Sequence, residues 1–302
     1  MPGASDMADA AFIGVDWGTS NARFLLSDAE GGLIAAKSGP GVATLASPDA
    51  FEASCFDAIA GWASVPVIMA GMVGANIGWR PAPYVPTPAS LAMIAAKALR
   101  FTARGRQFVL VPGVETRRSD GTPDLMRGEE TQIIGAAIAG DALLCLPGTH
   151  AKWATVAGGR ITGFHTAMTG ELIDLLARHS ILLNPRRAAA ATASTEFVAA
   201  VAAIKASPLG VEALLFGVRS RQIAGTLDPA VADSALAGLC IGADVRSALV
   251  LHSATAQVTL IGTPALTALY AAALAVFGVA SGTLDGNDAV LSGLARIWRE
   301  TA

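Results

Sequence analysis

Residues 12–27 of this 302-residue chain read FIGVDWGTSNARFLLS, and this stretch indicates the fold. The run at residues 12–16, which is rich in β-branched and aromatic residues, predicts a strand, and the run at residues 22–27 predicts a second one. The turn between them is made of small and polar residues, which include Gly18, Thr19, Ser20 and Asn21. A second turn and a third predicted strand at residues 33–37 complete an antiparallel meander.

The same arrangement recurs in the middle of the chain. Residues 143–146 and 152–156 predict two strands, and the turn between them, residues 147–150, reads PGTH. A third strand is predicted at residues 161–165, after a Gly-Gly turn. Because a Gly-Thr pair occupies the same place in two similar meanders, the sequence indicates a duplicated α/β fold.

Both Gly-Thr turns are candidate anion sites, because a tight turn of this kind directs successive backbone N–H groups into a small concavity. Glycine lets the backbone approach a phosphate closely, and hydroxyl side chains add donors. His150 and Lys152 at the second turn add further donors, although Lys152 reads equally well as a solvated surface residue. The predicted phosphate-binding residues are Gly18, Thr19, Ser20, Asn21, Gly148, Thr149, His150 and Lys152. The alternative is two ordinary hairpin turns.

Asp16 ends the first predicted strand and is the candidate metal ligand. Magnesium prefers one or two carboxylates together with phosphate oxygens, so an aspartate beside a phosphate turn is a suitable position for Mg²⁺. The chain has neither of the two familiar nucleotide loops, G-x-x-x-x-G-K-[ST] and G-x-G-x-x-G. If this protein binds a nucleotide, it does so without either loop.

The composition excludes several classes of protein. The chain is 53% hydrophobic and 15% charged, which excludes disorder, and its net charge of −3 gives no attraction for nucleic acid or anionic lipid. Residues 247–284 contain no Asp, Glu, Lys or Arg, but His252, Gly262 and Pro264 interrupt them. This pattern favours a buried strand, a turn and a buried helix over a membrane span.

The three cysteines are scattered, at Cys55, Cys145 and Cys240, and form no CxxC pair or Cys/His cluster. We therefore expect neither a disulfide framework nor a structural zinc. The first ten residues lack the basic segment of a signal peptide, so we expect a cytoplasmic protein with reduced thiols.

The DWGTSN motif at residues 16–21 resembles the first phosphate motif of the sugar kinase, heat-shock ATPase and actin superfamily. Four further segments resemble the 2-dehydro-3-deoxygalactonokinase family: AGMVGANIGWRPAPY (70–84), DLMRGEETQ (124–132), LPGTHAKW (146–153) and MTGEL (168–172). The resemblance implies an actin-like ATPase fold, in which two ribonuclease-H-like α/β domains flank a central cleft. It also implies phosphorylation of 2-dehydro-3-deoxy-D-galactonate on its terminal 6-hydroxyl, in galactonate catabolism, with ATP and Mg²⁺ as cofactors.

The catalytic base that the resemblance implies is Glu129. Related carbohydrate kinases have Gly-Asp at the start of an apolar helix, and here Gly128-Glu129 precedes an apolar stretch to residue 139. The departure from Asp to Glu leaves Glu130 as a second candidate. The alternative is that both acids only stabilise the helix N-terminus, where a negative charge contributes about 0.3–1 kcal/mol.

Four residues are candidates for binding the sugar acid. Arg127 can bind a substrate carboxylate through two nitrogens, or it can pair with a neighbouring acid. Gly71, Asn76 and Trp79 lie in a loop after a strand predicted at residues 65–70, where ligands commonly bind in α/β sheets. We expect Asn76 to bind hydroxyls and Trp79 to cover the carbon chain. The alternatives are a proline-stiffened surface loop and a Trp79 that fills a domain interface.

Further segments carry weaker signals. Gly262 and Thr263, between a predicted strand and helix, are the candidate adenine site, and residues 212–221 are a second candidate wall. The TGE sequence at residues 169–171 predicts a helix start with Thr169 as its N-cap. The remaining histidines are predicted to be isolated and structural, and they are His165, His179 and His252.

The polar stretch at residues 117–123 is the predicted linker between domains at 10–115 and 116–302. A final amphipathic helix at residues 288–300 is expected to return to the first domain. Two other functions stay open: a kinase for another small substrate (a sugar, a sugar acid such as 2-dehydro-3-deoxygluconate, or an acyl phosphate), and a non-catalytic nucleotide-gated binding protein. The expected partner is a small sugar acid, with no nucleic acid or membrane, and a homodimer is left open.

Overall fold

The computed structural model describes residues 8–184, 190–252 and 257–301. The chain divides into two compact units. Unit 1 contains the residues up to Asp141, the segment Val156–Phe164 and the residues from Gly286 onward. Unit 2 contains Ala142–Thr155 and His165–Asp285.

The described chain contains groups of consecutive strands separated by helices, and four consecutive helices precede the strand Gln257–Gly262. The strands are β1 (Phe12–Trp17), β2 (Asn21–Ser27), β3 (Leu33–Pro40), β4 (Val67–Gly71), β5 (Tyr84–Pro86), β6 (Ala89–Ser90), β7 (Leu99–Ala103), β8 (Arg106–Leu110), β9 (Gly113–Arg117), β10 (Pro123–Met126), β11 (Ala142–Leu146), β12 (Ala151–Ala157), β13 (Arg160–Ala167), β14 (Gln257–Gly262) and β15 (Ala280–Asp285). The helices are α1 (Pro48–Ala58), α2 (Leu91–Ala96), α3 (Glu129–Gly135), α4 (Thr169–His179), α5 (Thr195–Ala206), α6 (Glu212–Ile223), α7 (Pro229–Leu251), α8 (Pro264–Phe277) and α9 (Gly286–Thr301).

Unit 1 is built on a mixed sheet with the strand order β3-β2-β1-β4-β8-β7. Strand β1 pairs antiparallel with β2 and parallel with β4, and β4 pairs parallel with β8. The predicted meander is therefore confirmed as β1, β2 and β3. Trp17 at the end of β1 is fully buried, and its ring packs edge-on against Phe24 and Phe51. This packing fixes the end of β1 from which the first turn leaves.

Helices α3 and α9 of unit 1 approach each other backbone to backbone. A Cβ on Gly135 would overlap the carbonyl of Ala289, and a Cβ on Gly293 would overlap the carbonyl of Thr131. Glycine at both positions therefore sets the spacing between the two helices. Helix α3 ends at Gly135, earlier than the predicted residue 139, and Ala137 has a positive φ of 50°.

Unit 2 repeats the arrangement of unit 1. Strands β15, β14, β11, β12 and β13 lie side by side in that order, and β11 pairs parallel with β14, as does β14 with β15. The tip of the β12–β13 hairpin belongs to unit 1, where Ile161 of β13 pairs with Ala89 of β6. In each sheet, three strands that follow one another in the sequence lie side by side, and the first of them pairs with a parallel strand on its other side. This shared arrangement confirms the duplicated α/β fold.

The uncharged segment forms the predicted strand, turn and helix. Val258 and Leu260 of β14 are fully buried, and α8 begins at Pro264 and ends before Gly278, which has the left-handed conformation typical of a helix end. Helix α7 is the one described helix that is long and apolar enough to cross a membrane, and 67% of its apolar 18-residue stretch is buried. This burial is typical of a core helix in a globular protein. All three cysteines are free and buried.

The predicted linker is wrong, because residues 117–123 form the tip of a hairpin. Strands β9 and β10 pair antiparallel, and Arg118 donates its N–H to the Thr122 carbonyl across the turn. A polar turn of this kind is typical of a hairpin tip as well as of a linker. The expected division between residues 115 and 116 therefore falls inside β9, and residues 116–141 lie in unit 1 together with α9.

Candidate active site

Asp16 lies near the end of β1 and is paired with Arg23 on the neighbouring strand. The two residues face each other across the β1–β2 ladder, and Arg23 Nη2 donates to Asp16 Oδ2 at 2.5 Å. Both side chains are partly exposed. Arg23 is not among the predicted site residues, although its position opposite Asp16 follows from the hairpin register. The pair holds one carboxylate oxygen of Asp16 in a fixed place.

Two glycines bring β4 and α3 together beside Asp16. Gly71 and Gly128 have φ values of 92° and 107°, which L side chains rarely adopt. A Cβ on Gly128 would lie 3.4 Å from Gly71 Cα, and a Cβ on Gly71 would lie 2.7 Å from the Trp17 carbonyl and 3.5 Å from Asp16 Oδ1. The end of β1, the end of β4 and the start of α3 therefore meet, and Glu129 follows directly.

The two candidate bases at the start of α3 have different surroundings. Glu130 is fully buried, and its carboxylate accepts hydrogen bonds from the Gly128 N–H and the Thr131 hydroxyl. Burial, with the nearby charge of Glu129, raises the pKa of Glu130 to about 8. Glu129 is only partly buried, and its Oε2 accepts the Arg127 N–H at 3.1 Å. Of the two acids, Glu129 is the one with a partly exposed carboxylate.

Arg127 precedes these acids, and it is 92% buried with an exposed fraction of 8%. Its Nη2 donates to the Ala82 carbonyl at 2.8 Å, and its guanidinium lies over the Tyr84 ring, 4.3 Å from the centroid. Nε and Nη1 are buried without a hydrogen-bond partner. Gly74 lies beside them, because a Cβ there would be 2.8 Å from Nη1. The expected alternative, an ion pair with a neighbouring acid, is not formed among the described residues.

The loop after β4 contains one prediction that is wrong. Trp79 has only 5% of its surface exposed, and its ring packs edge-on against Phe101 and Phe108 in the core of unit 1. The ring therefore packs into the core beneath the loop, where it is not exposed to a substrate. Asn76 is exposed, so its predicted contact with substrate hydroxyls is sterically open.

The first turn is held through its carbonyl groups. Val42 and Ala43 donate their N–H groups to the carbonyls of Gly18 and Thr19, each at 3.0 Å. The Gly18 N–H is used within the turn, by the Asn21 carbonyl. Among the described residues, the N–H groups of Thr19 and Ser20 have no partner, and both residues are exposed. A turn with bound carbonyls and free amides can bind an anion.

The second turn has the same character. Glu171 donates its N–H to the Thr149 carbonyl at 2.9 Å, whereas within the described chain the Gly148 and Thr149 N–H groups have no partner. The space where a Gly148 side chain would lie is open. His150 Nε2 lies 2.5 Å from Glu171 Oε2. Lys152 is buried, not solvated, and its Nζ donates to the His150 carbonyl at 3.1 Å.

A buried carboxylate that the sequence analysis missed lies behind the second turn. Asp244 in α7 accepts hydrogen bonds from Trp153 Nε1, Thr169 Oγ1 and Tyr270 Oη at 2.9, 2.8 and 2.6 Å. Burial raises the pKa of Asp244, although the three donors act in the opposite direction. Thr169 is therefore not the N-cap of α4, a position that Met168 occupies.

Two further histidines of unit 2 touch each other, so the prediction that they are isolated is wrong. His165 Nδ1 lies 3.0 Å from His252 Nε2, and the His165 ring is parallel to that of Trp153. Burial lowers the pKa of His252. Both histidines are partly buried, and His165 lies against the fully buried Trp153 of β12.

The candidate adenine residues border a cavity of about 370 Å³ in unit 2. The lining residues are Gly262, Pro264, Thr267, Ala268, Thr283, Leu284 and Asp285. Gly262 also adjoins the second turn, because a Cβ there would lie 3.6 Å from Pro147 Cδ. Thr263 is the N-cap residue of α8 and does not line this cavity, and neither does any residue of the second candidate wall, 212–221.

No group of three or more His, Cys, Asp or Glu side chains that could hold a metal by itself occurs in the part of the chain that the structure describes. A magnesium ion bound with a nucleotide needs only one or two protein carboxylates, because phosphate oxygens supply other ligands. Asp16, with Oδ2 paired to Arg23 and Oδ1 near Gly71, fits that requirement.

This chain is similar to known proteins over nearly its whole length. The 2-keto-3-deoxy-galactonokinase family matches residues 16–297. A protein of Escherichia coli (strain K12) named 2-dehydro-3-deoxygalactonokinase is 36% identical over 97% of this chain and 99% of its own length. A crystal structure of a candidate 2-dehydro-3-deoxygalactonokinase from Sinorhizobium meliloti is 37% identical, covers 95% of this chain and 98% of that chain, and superposes with a TM-score of 0.88.

A more distant solved structure shares the fold. The activator of the 2-hydroxyisocaproyl-CoA dehydratase from Clostridium difficile, solved with ADPNP, covers 96% of this chain and 95% of its own, with a TM-score of 0.54 and 11% identity. The actin-like ATPase fold is thereby confirmed. The family match and the E. coli relative together show that this chain belongs to the 2-keto-3-deoxy-galactonokinase family.

Proposed function

We propose that this protein transfers the γ-phosphoryl group of ATP to the terminal 6-hydroxyl of 2-dehydro-3-deoxy-D-galactonate. It is a phosphotransferase with an alcohol group as acceptor. The observation that carries the proposal is the segment from Arg127 to Glu129 at the start of α3. It combines a guanidinium with unpartnered donors and a partly exposed carboxylate. A sugar-acid kinase needs both, one for the substrate carboxylate and one for the hydroxyl proton.

Glu129 is the proposed general base. Its carboxylate accepts the proton of the 6-hydroxyl while the hydroxyl oxygen forms a bond to the γ-phosphorus of ATP. The bond between the γ-phosphorus and the β–γ bridging oxygen breaks, and ADP leaves with that electron pair. The N–H group of Arg127 holds Glu129 Oε2 and so fixes the carboxylate at the start of the helix. Glu130 is fully buried and accepts hydrogen bonds from the Gly128 N–H and the Thr131 hydroxyl, which favours Glu129 for this role.

Arg127 is the proposed site for the substrate carboxylate. A buried guanidinium nitrogen without an acceptor is unfavourable, and a carboxylate oxygen on Nη1 would remove that cost. Tyr84 and the Ala82 carbonyl already orient the guanidinium. Gly74 leaves the space beside Nη1 without a side chain. Asn76, exposed in the same loop, is the proposed partner of substrate hydroxyls, and Gly71 forms the base of the loop.

ATP is proposed to bind through the two Gly-Thr turns and the unit 2 cavity. The free N–H groups of the turns bind phosphate oxygens, with His150 and Lys152 as further candidates at the second turn. The cavity beside Gly262 takes the adenine, because it adjoins Pro147. Asp16 is the proposed Mg²⁺ ligand, and the ion would neutralise charge on the transferred group. We propose a cytoplasmic location.

A coupled assay of ADP formation tests this function. The purified protein is supplied with ATP, Mg²⁺ and each member of a panel of 2-dehydro-3-deoxy sugar acids, together with neutral hexoses. The proposal predicts ADP formation that depends on the sugar acid and is fastest with the galactonate epimer. Faster turnover of the gluconate epimer would reassign the substrate, and ATP binding without any acceptor-dependent ADP would indicate a non-catalytic binding protein.

A further inference from the structure

Each Gly-Thr turn packs against a short segment that we call its support, residues 41–43 for the first turn and residues 170–171 for the second. Gly41 lies under the first turn, where a Cβ would overlap the Thr19 carbonyl, and the next two residues donate their N–H groups to turn carbonyls. Gly170 lies under the second turn, where a Cβ would overlap the Gly148 carbonyl and lie 2.9 Å from Thr149 Cα. Glu171, the next residue, donates its N–H to the Thr149 carbonyl. Each turn therefore has a glycine support followed by backbone donors.

Glu171 adds a contact that the first support lacks. Its Oε2 lies 2.5 Å from His150 Nε2, so one residue holds the second turn at a backbone carbonyl and at a side chain. The His150 and Glu171 side chains are 47% and 38% exposed, and exposed pairs contribute little to stability. A pair of little value for folding, placed on a phosphate turn, is well explained by a role in orienting His150.

Buried contacts fix the support in relation to the turn. Thr169, which directly precedes Gly170, donates to Asp244, and Trp153, which follows the turn in β12, donates to the same carboxylate. Both sides of the contact between turn and support are thus tied to one buried side chain. The support cannot move away from the turn without breaking one of these bonds.

We propose that Glu171 is a positioning residue for the nucleotide, which keeps His150 and the Gly148–Thr149 backbone in the arrangement that binds the phosphates of ATP. The inference rests on the proposed function, since it concerns the ATP side of the same reaction. Glu171 acts through His150 and the turn and does not itself touch ATP. Its loss therefore weakens ATP binding and leaves the binding of the sugar acid unchanged.

The test compares Glu171→Gln with Asp174→Asn, a matched acid-to-amide change one turn further along α4, where Asp174 pairs with the exposed Arg178. We expect Glu171→Gln to raise KM for ATP and the calorimetric Kd for ATP by roughly 3- to 10-fold. KM for the sugar acid and the thermal midpoint should stay at the wild-type values. Asp174→Asn should match the wild type in all four quantities.

A double-mutant cycle with His150→Gln shows whether the effect passes through the histidine. If Glu171 acts by orienting His150, the double variant binds ATP no more weakly than the weaker-binding single variant. Unchanged ATP affinity in Glu171→Gln, or effects of the two changes that simply multiply, would overturn the inference. Absence of sugar-acid-dependent ADP from the wild type would instead overturn the proposed function, whereas the calorimetric ATP result would still decide the inference.

Discussion

Arg23 donates a hydrogen bond to Asp16 across the first hairpin, with its Nη2 2.5 Å from Oδ2. The pair fixes the one carboxylate that we assign to Mg²⁺, and it leaves Oδ1 beside Gly71. Asp16→Asn removes the charge that attracts the ion, so we expect a higher Mg²⁺ requirement together with a lower kcat. Magnesium titration of the ATP-dependent rate measures both quantities. A wild-type titration curve for this variant would rule out the metal role of Asp16.

Replacement of Glu129 tests the general base. Glu129→Gln keeps the size of the side chain but cannot accept the hydroxyl proton, so kcat should fall by roughly 10²- to 10⁴-fold. KM for ATP should change little, because Glu129 is assigned to the sugar hydroxyl and not to the nucleotide. Steady-state kinetics of the purified variant give both numbers. Turnover close to the wild-type value would place the base elsewhere in the chain.

Glu130 predicts a pH dependence of stability. Its pKa is raised from the ordinary value of 4.5 to about 8, first because of burial and then because of Glu129. Between these two values the folded protein keeps a proton that the unfolded chain has released, so its stability falls as pH rises. The slope reaches at most about 1.4 kcal/mol per pH unit.

Denaturant unfolding at several pH values between 5 and 8 compares the wild type with Glu130→Gln, whose side chain stays neutral over this whole range. As pH rises, the unfolding free energy of the wild type should fall relative to that of the variant. Glu115→Gln on the exposed face of β9 is the control, and it should follow the wild type. Parallel curves for the wild type and Glu130→Gln would contradict the raised pKa.

Arg127 and Gly74 together should set the preference for an acid. Arg127→Lys loses the planar guanidinium, so KM for the sugar acid should rise roughly 10- to 100-fold. A neutral analogue without the carboxylate should be used equally by both proteins. Gly74→Ala should act in the same direction, because its Cβ would lie 2.8 Å from Nη1.

The control for Gly74→Ala is Gly217→Ala in α6, where nothing lies within 4 Å of the new Cβ. That variant should show wild-type kinetics for both substrates. Equal losses with the acid and with the neutral analogue in Arg127→Lys would assign Arg127 to the structure of the loop. Its binding of a carboxylate would then be excluded.

The parts of this protein that the sequence predicts well are local. The two Gly-Thr hairpins follow from turn residues and alternating strands, because those signals lie within a few residues of each other. The prediction for Trp79 is wrong because a tryptophan after a loop glycine suits a core and a binding site equally. The prediction of a linker at residues 117–123 is wrong because a polar turn is typical of a hairpin tip as well as of a linker.

The residues that the sequence analysis missed depend on contacts between distant segments. Arg23 could be found from the register of a hairpin, once the turn length is known. Asp244 could not, because its donors come from β12, α4 and α8, which are separated along the chain. The choice between Glu129 and Glu130 depends on which of the two side chains is buried at the start of α3. Two adjacent glutamates in the sequence do not show which one that is.

Phosphorus NMR of the reaction product tests the central claim most directly. The wild-type protein is incubated with ATP, Mg²⁺ and 2-dehydro-3-deoxy-D-galactonate, and the product phosphate is examined for coupling to protons of the sugar acid. The account predicts one new phosphate monoester coupled to the two protons of the terminal methylene, formed in equal amount with ADP. A phosphate on another oxygen, or release of inorganic phosphate without any sugar-acid ester, would contradict it.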